Sequence, residues 1–488
     1  MIFLLVYIVF YPPIYAIHDE AAYMAQAYVM REGTIFGDVA GIQVAGSIKT
    51  ESGHFVSRYA PGISFLLIPF SFLGWKFFFL LPLLLHLVGF FIFVKILRIY
   101  SISPYFSLLY LLYPTSVLYS RTLMADVPSA VFFIVAIYFF LRGKKFYFLS
   151  GFFLGMLPLF RYPNIILSVP FFIYLLVDSI KSARKSSFAI SPFSKLFLGF
   201  LPGLFLFLFY NKIAFGRFLI VPYGLQGYFS VINLPYNLCF YILSLNVIYP
   251  FMFFSIFLLR KDRFVLISST FLLFLFYALF KYMILAPGKS MLKTSIVGMR
   301  YLLPIIPIFI LSYVNSLERI KRKKPILANM FFLLIVIVFF ILDIGLVYQH
   351  QGFLKTQEQY KDIIYSNTDQ ESLILINDNA MEFFQHVWGE RKYEVFVWSK
   401  NKLAVDFEKY HFEKLYLLTV IRSDKEGNEY VRKYADEIIK EYSGETVAEI
   451  KGDPELRLWK LHYESANDSV SEKRSIGEAE KEIQKREE

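Results

Sequence analysis

"PGISFLLIPFSFL", residues 61–73, is the stretch whose reading decides how this chain threads a membrane. It is apolar but only 13 residues long, and a span needs about 20 mostly apolar residues. Counted as a span, it would move every later basic cluster to the opposite side. Those clusters are Lys95/Arg98, Arg142/Lys144/Lys145, Lys181/Arg184/Lys185, Arg260/Lys261/Arg263 and Arg319 through Lys324. Basic residues gather in short cytoplasmic loops, and leaving 61–73 out puts all of these clusters on one side. The stretch is therefore expected to be a re-entrant or interfacial helix.

Composition supports a membrane solvent. The 488 residues are 57% hydrophobic and 19% aromatic, with 56 Phe and 35 Tyr, and the mean hydropathy is +0.51. A soluble chain could not hide so much apolar surface. A net charge of +11 would suggest nucleic acid in a soluble protein. Here most of the basic residues lie between apolar runs, so they report topology and no nucleic-acid partner is expected. The single cysteine, Cys239, rules out an internal disulfide and a thiolate metal cluster.

Eleven spans are expected, at roughly 1–17, 77–97, 104–121, 125–141, 146–160, 164–180, 192–210, 239–259, 264–284, 300–317 and 325–346. The first 17 residues lack a basic n-region and a small-residue cleavage site, so they are taken as a short first span whose natural start could be trimmed. Residues 146–177 are broken at "RYPN" (Arg161 to Asn164), since only then does Lys181–Lys185 stay inside. With the N-terminus cytoplasmic, the exterior receives 18–60, the turn at 120–125, the Arg161 turn, 211–238, 285–299 and everything after about 347.

The tail changes character. "SLILIND" (372–378), "YEVFVW" (393–398), "KLYLLTVI" (414–421), "ETVAEIK" (445–451) and "LRLWKLH" (456–462) look like strands, and "EYVRKYADEIIKEY" (429–442) has helical spacing. The expected fold class is a polytopic all-α membrane protein with a small C-terminal extracytoplasmic α/β domain. Its parts are a membrane domain over 1–346 (with an outer loop at 18–60 holding interfacial helices), the α/β domain over 347–463, and a charged, disordered tail over 464–488.

Charged residues collect at the outer face. Asp19 and Glu20 end the first span, and Asp126 opens the fourth in "SRTLMADVPSAVFF". Each could simply cap a helix, which suits Asp126 before Pro128. It suits the Asp19/Glu20 pair less, because negative charge at the C-terminal end of a span is disfavoured. Membrane-edge ionisable groups are functional candidates. Arg58–Tyr59 in "SRYAPG", Arg161–Tyr162 in "FRYPN" and Arg300–Tyr301 in "GMRYLLPIIP" lie on the same face. One such pair would serve as a lipid anchor; three beside Pro-containing apolar runs suit an anionic head group, since guanidinium binds phosphate as a planar fork. His18 and His54 are read as solvated, without a metal role, and Lys281, Lys289 and Lys293 as a solvated face.

"HDEAAYMAQAYVM", "SRYAPGISFLLIPF", "TLMADVPSAVFF", "FRYPNIILSVP" and "RYLLPIIP" occur in this order, and the set resembles the GT-C glycosyltransferases over most of residues 1–345. The branch it looks most like is the protein O-mannosyltransferase and lipid A aminoarabinose transferase group. The resemblance implies an enzyme taking a sugar from a polyprenyl-phosphate or dolichyl-phosphate carrier and transferring it with inversion on the extracytoplasmic side. It implies Asp19 as base, with Glu20 as the spare. It implies Asp126 in shaping the acceptor site, and Arg58 and Arg300 on the carrier phosphate. Arg161, Tyr59 and Tyr301 join the phosphate-binding candidates from their positions. The acceptor is a protein, glycan or lipid hydroxyl, and the setting is the lipid of the cytoplasmic membrane. No cofactor is required, because a phosphate leaving group needs charge stabilisation more than a general acid. A divalent ion between Asp19 and Asp126 stays open, since hard cations favour carboxylate oxygens. A transporter or flippase of lipid-linked sugar is the competing class, but it would be expected to show repeats and midplane charges. A non-catalytic glycan-binding membrane protein is the third.

Overall fold

The computed structural model describes residues 2–37, 46–50, 53–183, 191–222, 228–281, 290–389, 391–396, 398–399, 402–403, 407, 410–423 and 428–463. Lys289 and the charged tail from 464 lie outside the described residues. The chain divides into two compact units, Met1–Lys355 and Thr356–Glu488.

Among the described residues of the chain, six helices are long and apolar enough to cross a membrane: Trp75–Ile99, Tyr162–Lys181, Pro192–Phe215, Val231–Ile248, Met291–Lys323 and Pro325–Asn367. Their outward faces carry large apolar side chains such as Phe91, Phe205, Leu333 and Ile341, which only lipid can cover. The chain is an integral membrane protein. Asp126–Leu141, Tyr147–Phe160 and Arg263–Leu279 are shorter apolar helices at the expected positions of further spans.

Proline explains where the helices depart from the expected spans. The first is only Ile2–Val9, stopped before Pro12–Pro13, and a new helix, His18–Arg31, follows. Asp19 and Glu20 thus sit in the first turn of a helix, where negative charge is favoured, rather than at the disfavoured end of a span. The 104–121 segment is broken before Pro114 into Leu108–Leu111 and Pro114–Tyr119. The 239–259 segment is interrupted around Pro250, where Phe251 takes a left-handed conformation (φ 65°). The 285–299 segment, expected as a loop, contributes a helix, Met291–Gly298, that runs through the 3-10 turn Met299–Ile305 into Ile306–Lys323. Residues 61–73 form a helix, Gly62–Ser71, only about 15 Å long at 1.5 Å per residue.

One helix pair packs backbone against backbone. Gly151 and Gly155 on Tyr147–Phe160 face Gly199 and Gly203 on Pro192–Phe215. A Cβ added at Gly151 would fall 2.0 Å from the Leu196 carbonyl oxygen, and one at Gly199 1.9 Å from that of Phe148. Small residues four apart on both helices let the backbones touch. The first of these helices ends at Arg161, whose backbone is extended (φ −146°, ψ 121°), and Tyr162–Ser168 resumes as a 3-10 turn around Pro163. The break expected at "RYPN" is there.

The 18–60 region holds the His18–Arg31 helix and an antiparallel hairpin, Ser47–Lys49 with Phe55–Ser57. The helix is buried from Glu20 to Met30. The Ser64 hydroxyl of the Gly62–Ser71 helix donates to Gln26 Oε1 (2.7 Å) and lies 3.1 Å from the Tyr23 carbonyl oxygen, and Gln26 donates to the Tyr210 hydroxyl (3.0 Å).

The second unit carries a five-stranded sheet in the order Lys392–Val395, Ser372–Ile376, Lys414–Ile421, Glu455–Leu461, Glu445–Ile450. The first three strands are parallel and the last two join antiparallel. Ser372–Ile376 is buried throughout, as parallel strands covered on both faces are. Ile374, Ile376, Leu418 and Val420 pack on Tyr360 and Ile364 on one face. Leu373, Leu375, Leu415 and Leu417 pack on Ala435 and Ile438 of the Asn428–Glu441 helix on the other.

Candidate active site

The helix break at Arg161, the 3-10 turn at Met299–Ile305, the start of the His18–Arg31 helix and the residues after the hairpin converge on one cavity of about 160 Å³. Asp19, Tyr59, Arg161, Tyr277, Arg300 and Tyr301 line it, amid phenylalanine side chains.

On the acidic side, the Tyr59 hydroxyl donates to Asp19 Oδ1 at 2.7 Å. Arg58 Nη2 donates to the same hydroxyl at 3.3 Å, with its guanidinium 5.3 Å from the Tyr59 ring centre. Burial first, and then the Asp19 carboxylate, push the Tyr59 hydroxyl well above the usual phenol range, so it stays a donor. That bond fixes one oxygen of Asp19.

On the basic side, two guanidiniums flank one ring. Arg161 Cζ lies 4.8 Å and Arg300 Cζ 4.7 Å from the Tyr301 centroid. Arg300 Nη2 donates to the Tyr301 hydroxyl at 2.8 Å, and the Tyr277 ring stacks on Tyr301 at 5.1 Å.

Behind the lining, Arg161 Nη2 donates to Asp126 Oδ1 at 2.6 Å in a buried ion pair. Asp126 is fully buried at the first position of the Asp126–Leu141 helix. It is not among the lining groups; it holds the guanidinium that is. Glu20 also lies away from the lining. Its Oε2 accepts from the backbone N–H of Ala16 (2.7 Å) and Ile17 (3.2 Å), and its Oε1 from that of Leu123 (2.7 Å). Burial nonetheless pushes its carboxyl up to about 7 against those three bonds.

Of the residues expected from sequence, the cavity brings together Asp19, Tyr59, Arg161, Arg300 and Tyr301, with Arg58 reached through Tyr59 and Asp126 through Arg161. Tyr277 was not foreseen; it sits inside the apolar run "FLLFLFYALF", where one hydroxyl gives no signal. Lys281 and Lys293 are exposed and do not line the cavity. Among the described residues, no three or more His, Cys, Asp or Glu side chains group as metal ligands. Tyr59 and Arg161 each occupy one oxygen of Asp19 and Asp126 respectively.

No protein-family model matches the chain, and no curated protein sequence does either. Solved structures do. ArnT from Cupriavidus metallidurans in the apo state superposes with a TM-score of 0.60 at 12% identity, covering 95% of this chain and 98% of that one. The same protein bound to undecaprenyl phosphate gives a TM-score of 0.59, again at 12% identity and with the same coverage. The fold is ArnT-like. The ArnT likeness agrees with the group that the ordered motifs resemble. At 95% coverage it also runs beyond residues 1–345 into the second unit, where sequence offered only a general architecture.

Proposed function

We propose that this chain is a membrane glycosyltransferase of the GT-C type, which moves a sugar from a polyprenyl-phosphate carrier to an acceptor hydroxyl with inversion. The observation that carries this reading is the cavity in which the Asp19 carboxylate shares a wall with Arg161 and Arg300. An inverting transfer needs a base on one side of the anomeric carbon and a stabilised leaving group on the other. Asp19 takes the proton of the acceptor hydroxyl as its oxygen bonds to the anomeric carbon. The bond from that carbon to the phosphate oxygen breaks, and the carrier phosphate leaves with the electron pair towards Arg161 and Arg300. Tyr59 orients Asp19, and Asp126 holds Arg161 through one hydrogen bond from Nη2. The undecaprenyl phosphate seen in ArnT of the same fold supports a polyprenyl phosphate as the carrier. The distribution of basic loops supports an extracytoplasmic cavity with a cytoplasmic N-terminus. No divalent ion takes part in this reading, so turnover persists in chelator. The acceptor is a protein, glycan or lipid hydroxyl, and the sugar is of the mannose or aminoarabinose class.

The test uses the full chain in lipid nanodiscs with synthetic undecaprenyl-phosphate-linked mannose and aminoarabinose, reading release of undecaprenyl phosphate. Asp19→Asn is expected to lower kcat by about 10³-fold, within the range that general-base catalysis contributes, while still binding undecaprenyl phosphate. Wild-type turnover in Asp19→Asn would overturn the base assignment.

A further inference from the structure

Glu20 adjoins the proposed base, yet no step above uses it. Its side chain is fully buried, and both oxygens are taken by backbone N–H groups from two stretches of chain. One stretch, Ala16–Ile17, leads directly into the helix that carries Asp19. The other, at Leu123, lies 103 residues further on, three residues before Asp126. Leu123 is itself fully buried, so no water replaces its partner if the carboxylate is lost, and an unmet buried donor is costly. A helix N-terminus needs only the local bonds to Ala16 and Ile17. The third bond, to Leu123, does nothing for that helix and reaches a different segment.

We infer that Glu20 is a positioning residue that clamps together the two segments bearing Asp19 and Asp126, and so fixes the base relative to the arginine that Asp126 holds. The inference rests on the reading of Asp19 as base. The clamp needs two acceptors that point in different directions, which a carboxylate supplies and an amide does not. In Glu20→Gln the one remaining oxygen satisfies either Leu123 or the Ala16–Ile17 pair, and the amide turns a donor towards the other. In Glu20→Asp the side chain is one methylene short of spanning both.

The experiment compares full-length wild type, Glu20→Gln, Glu20→Asp and Asp19→Asn in nanodiscs. It reads turnover of the undecaprenyl-phosphate-linked sugars, binding of undecaprenyl phosphate, and hydrogen exchange in peptides over residues 118–126. Glu20→Gln is expected to lower kcat about 100-fold, the scale of an active-site misplacement of about 1 Å, with KM and undecaprenyl phosphate affinity little changed. Exchange over 118–126 is expected to rise, and Glu20→Asp to fall between wild type and Glu20→Gln. A purely structural cap would lower the amount of folded protein and leave kcat per phosphate-binding site intact. Wild-type kcat with unchanged exchange in Glu20→Gln would overturn the clamp alone. Wild-type turnover in Asp19→Asn would instead overturn the base reading, and exchange over 118–126 would still report the clamp. Should both Glu20 variants fail to fold, the wild-type protein decides: slow exchange of the Leu123 amide supports the clamp, and exchange as fast as that of exposed loops overturns it.

Discussion

The Tyr147–Phe160 helix does two opposite things along its length. Through Gly151 and Gly155 it lies backbone to backbone against Pro192–Phe215, with no room for a side chain at those glycines. At its far end Pro158 and Arg161 close the helix, and the chain delivers a guanidinium to a cavity. The first region packs closely because its glycines carry no side chains; the second is polar because its helix is broken. The difference teaches how a charge is aimed inside an apolar protein. The glycine contact fixes the helix, and Asp126 and Tyr301 then fix the one arginine at its end.

Substitutions at each place should therefore act in different ways. The largest effect is expected at the glycine contact. In Gly155→Leu the new Cβ would start 2.3 Å from the Phe200 carbonyl oxygen, so the helices must separate along their length. Overpacking of this kind costs about 3 kcal/mol or more, and loss of folded protein by size-exclusion analysis is the expected outcome; a well-folded Gly155→Leu would mean that the pair is not rigid. Next comes the ion pair. Asp126→Asn leaves Arg161 buried beside a neutral partner, and breaking a buried pair costs roughly 3 kcal/mol. The thermal midpoint should fall while the helix pair stays assembled, and an unchanged midpoint would show that Arg161 is held by Tyr301 alone. The smallest effect lies in the second unit, where Arg432 and Glu455 pair with Arg432 more than half exposed. Arg432→Ala should change stability by less than about 0.5 kcal/mol in denaturant titration; a larger loss would make the surface of that unit part of its framework.

Much of this was legible in the sequence, for physical reasons that differ by region. In the second unit, apolar runs such as "SLILI" and the 3.6-residue spacing of 429–442 mark strands and helix locally, and all but one formed within a residue or two of the expected bounds; the strand expected over 393–398 ends at Val395. The basic clusters picked out 61–73 and 161–164 as exceptions, and both are short or broken in the structure. The placement of Asp19 and Glu20 was not recovered. "HDEAAYMAQAYVM" has the acidic start of a helix, but the apolar run before it masked the stop at Pro12–Pro13. Glu20 and Leu123, or Asp126 and Arg161, meet only through tertiary packing, and no spacing along the chain announces such a pairing. Sequence found which residues carry charge at the cavity and put Asp19 ahead of Glu20; it could not tell that Asp126 lies behind Arg161.

The central claim is that one cavity holds a carrier phosphate between Arg161 and Arg300 with Asp19 facing it. An experimental structure of the full chain with undecaprenyl phosphate in nanodiscs tests this most directly. The expected result is phosphate oxygens about 2.7–2.9 Å from guanidinium nitrogens of Arg161 and Arg300, as charge-assisted bonds require, with the phosphate on the Asp19 cavity. A phosphate bound away from both arginines, with the Asp19 cavity filled by protein side chains, would contradict it.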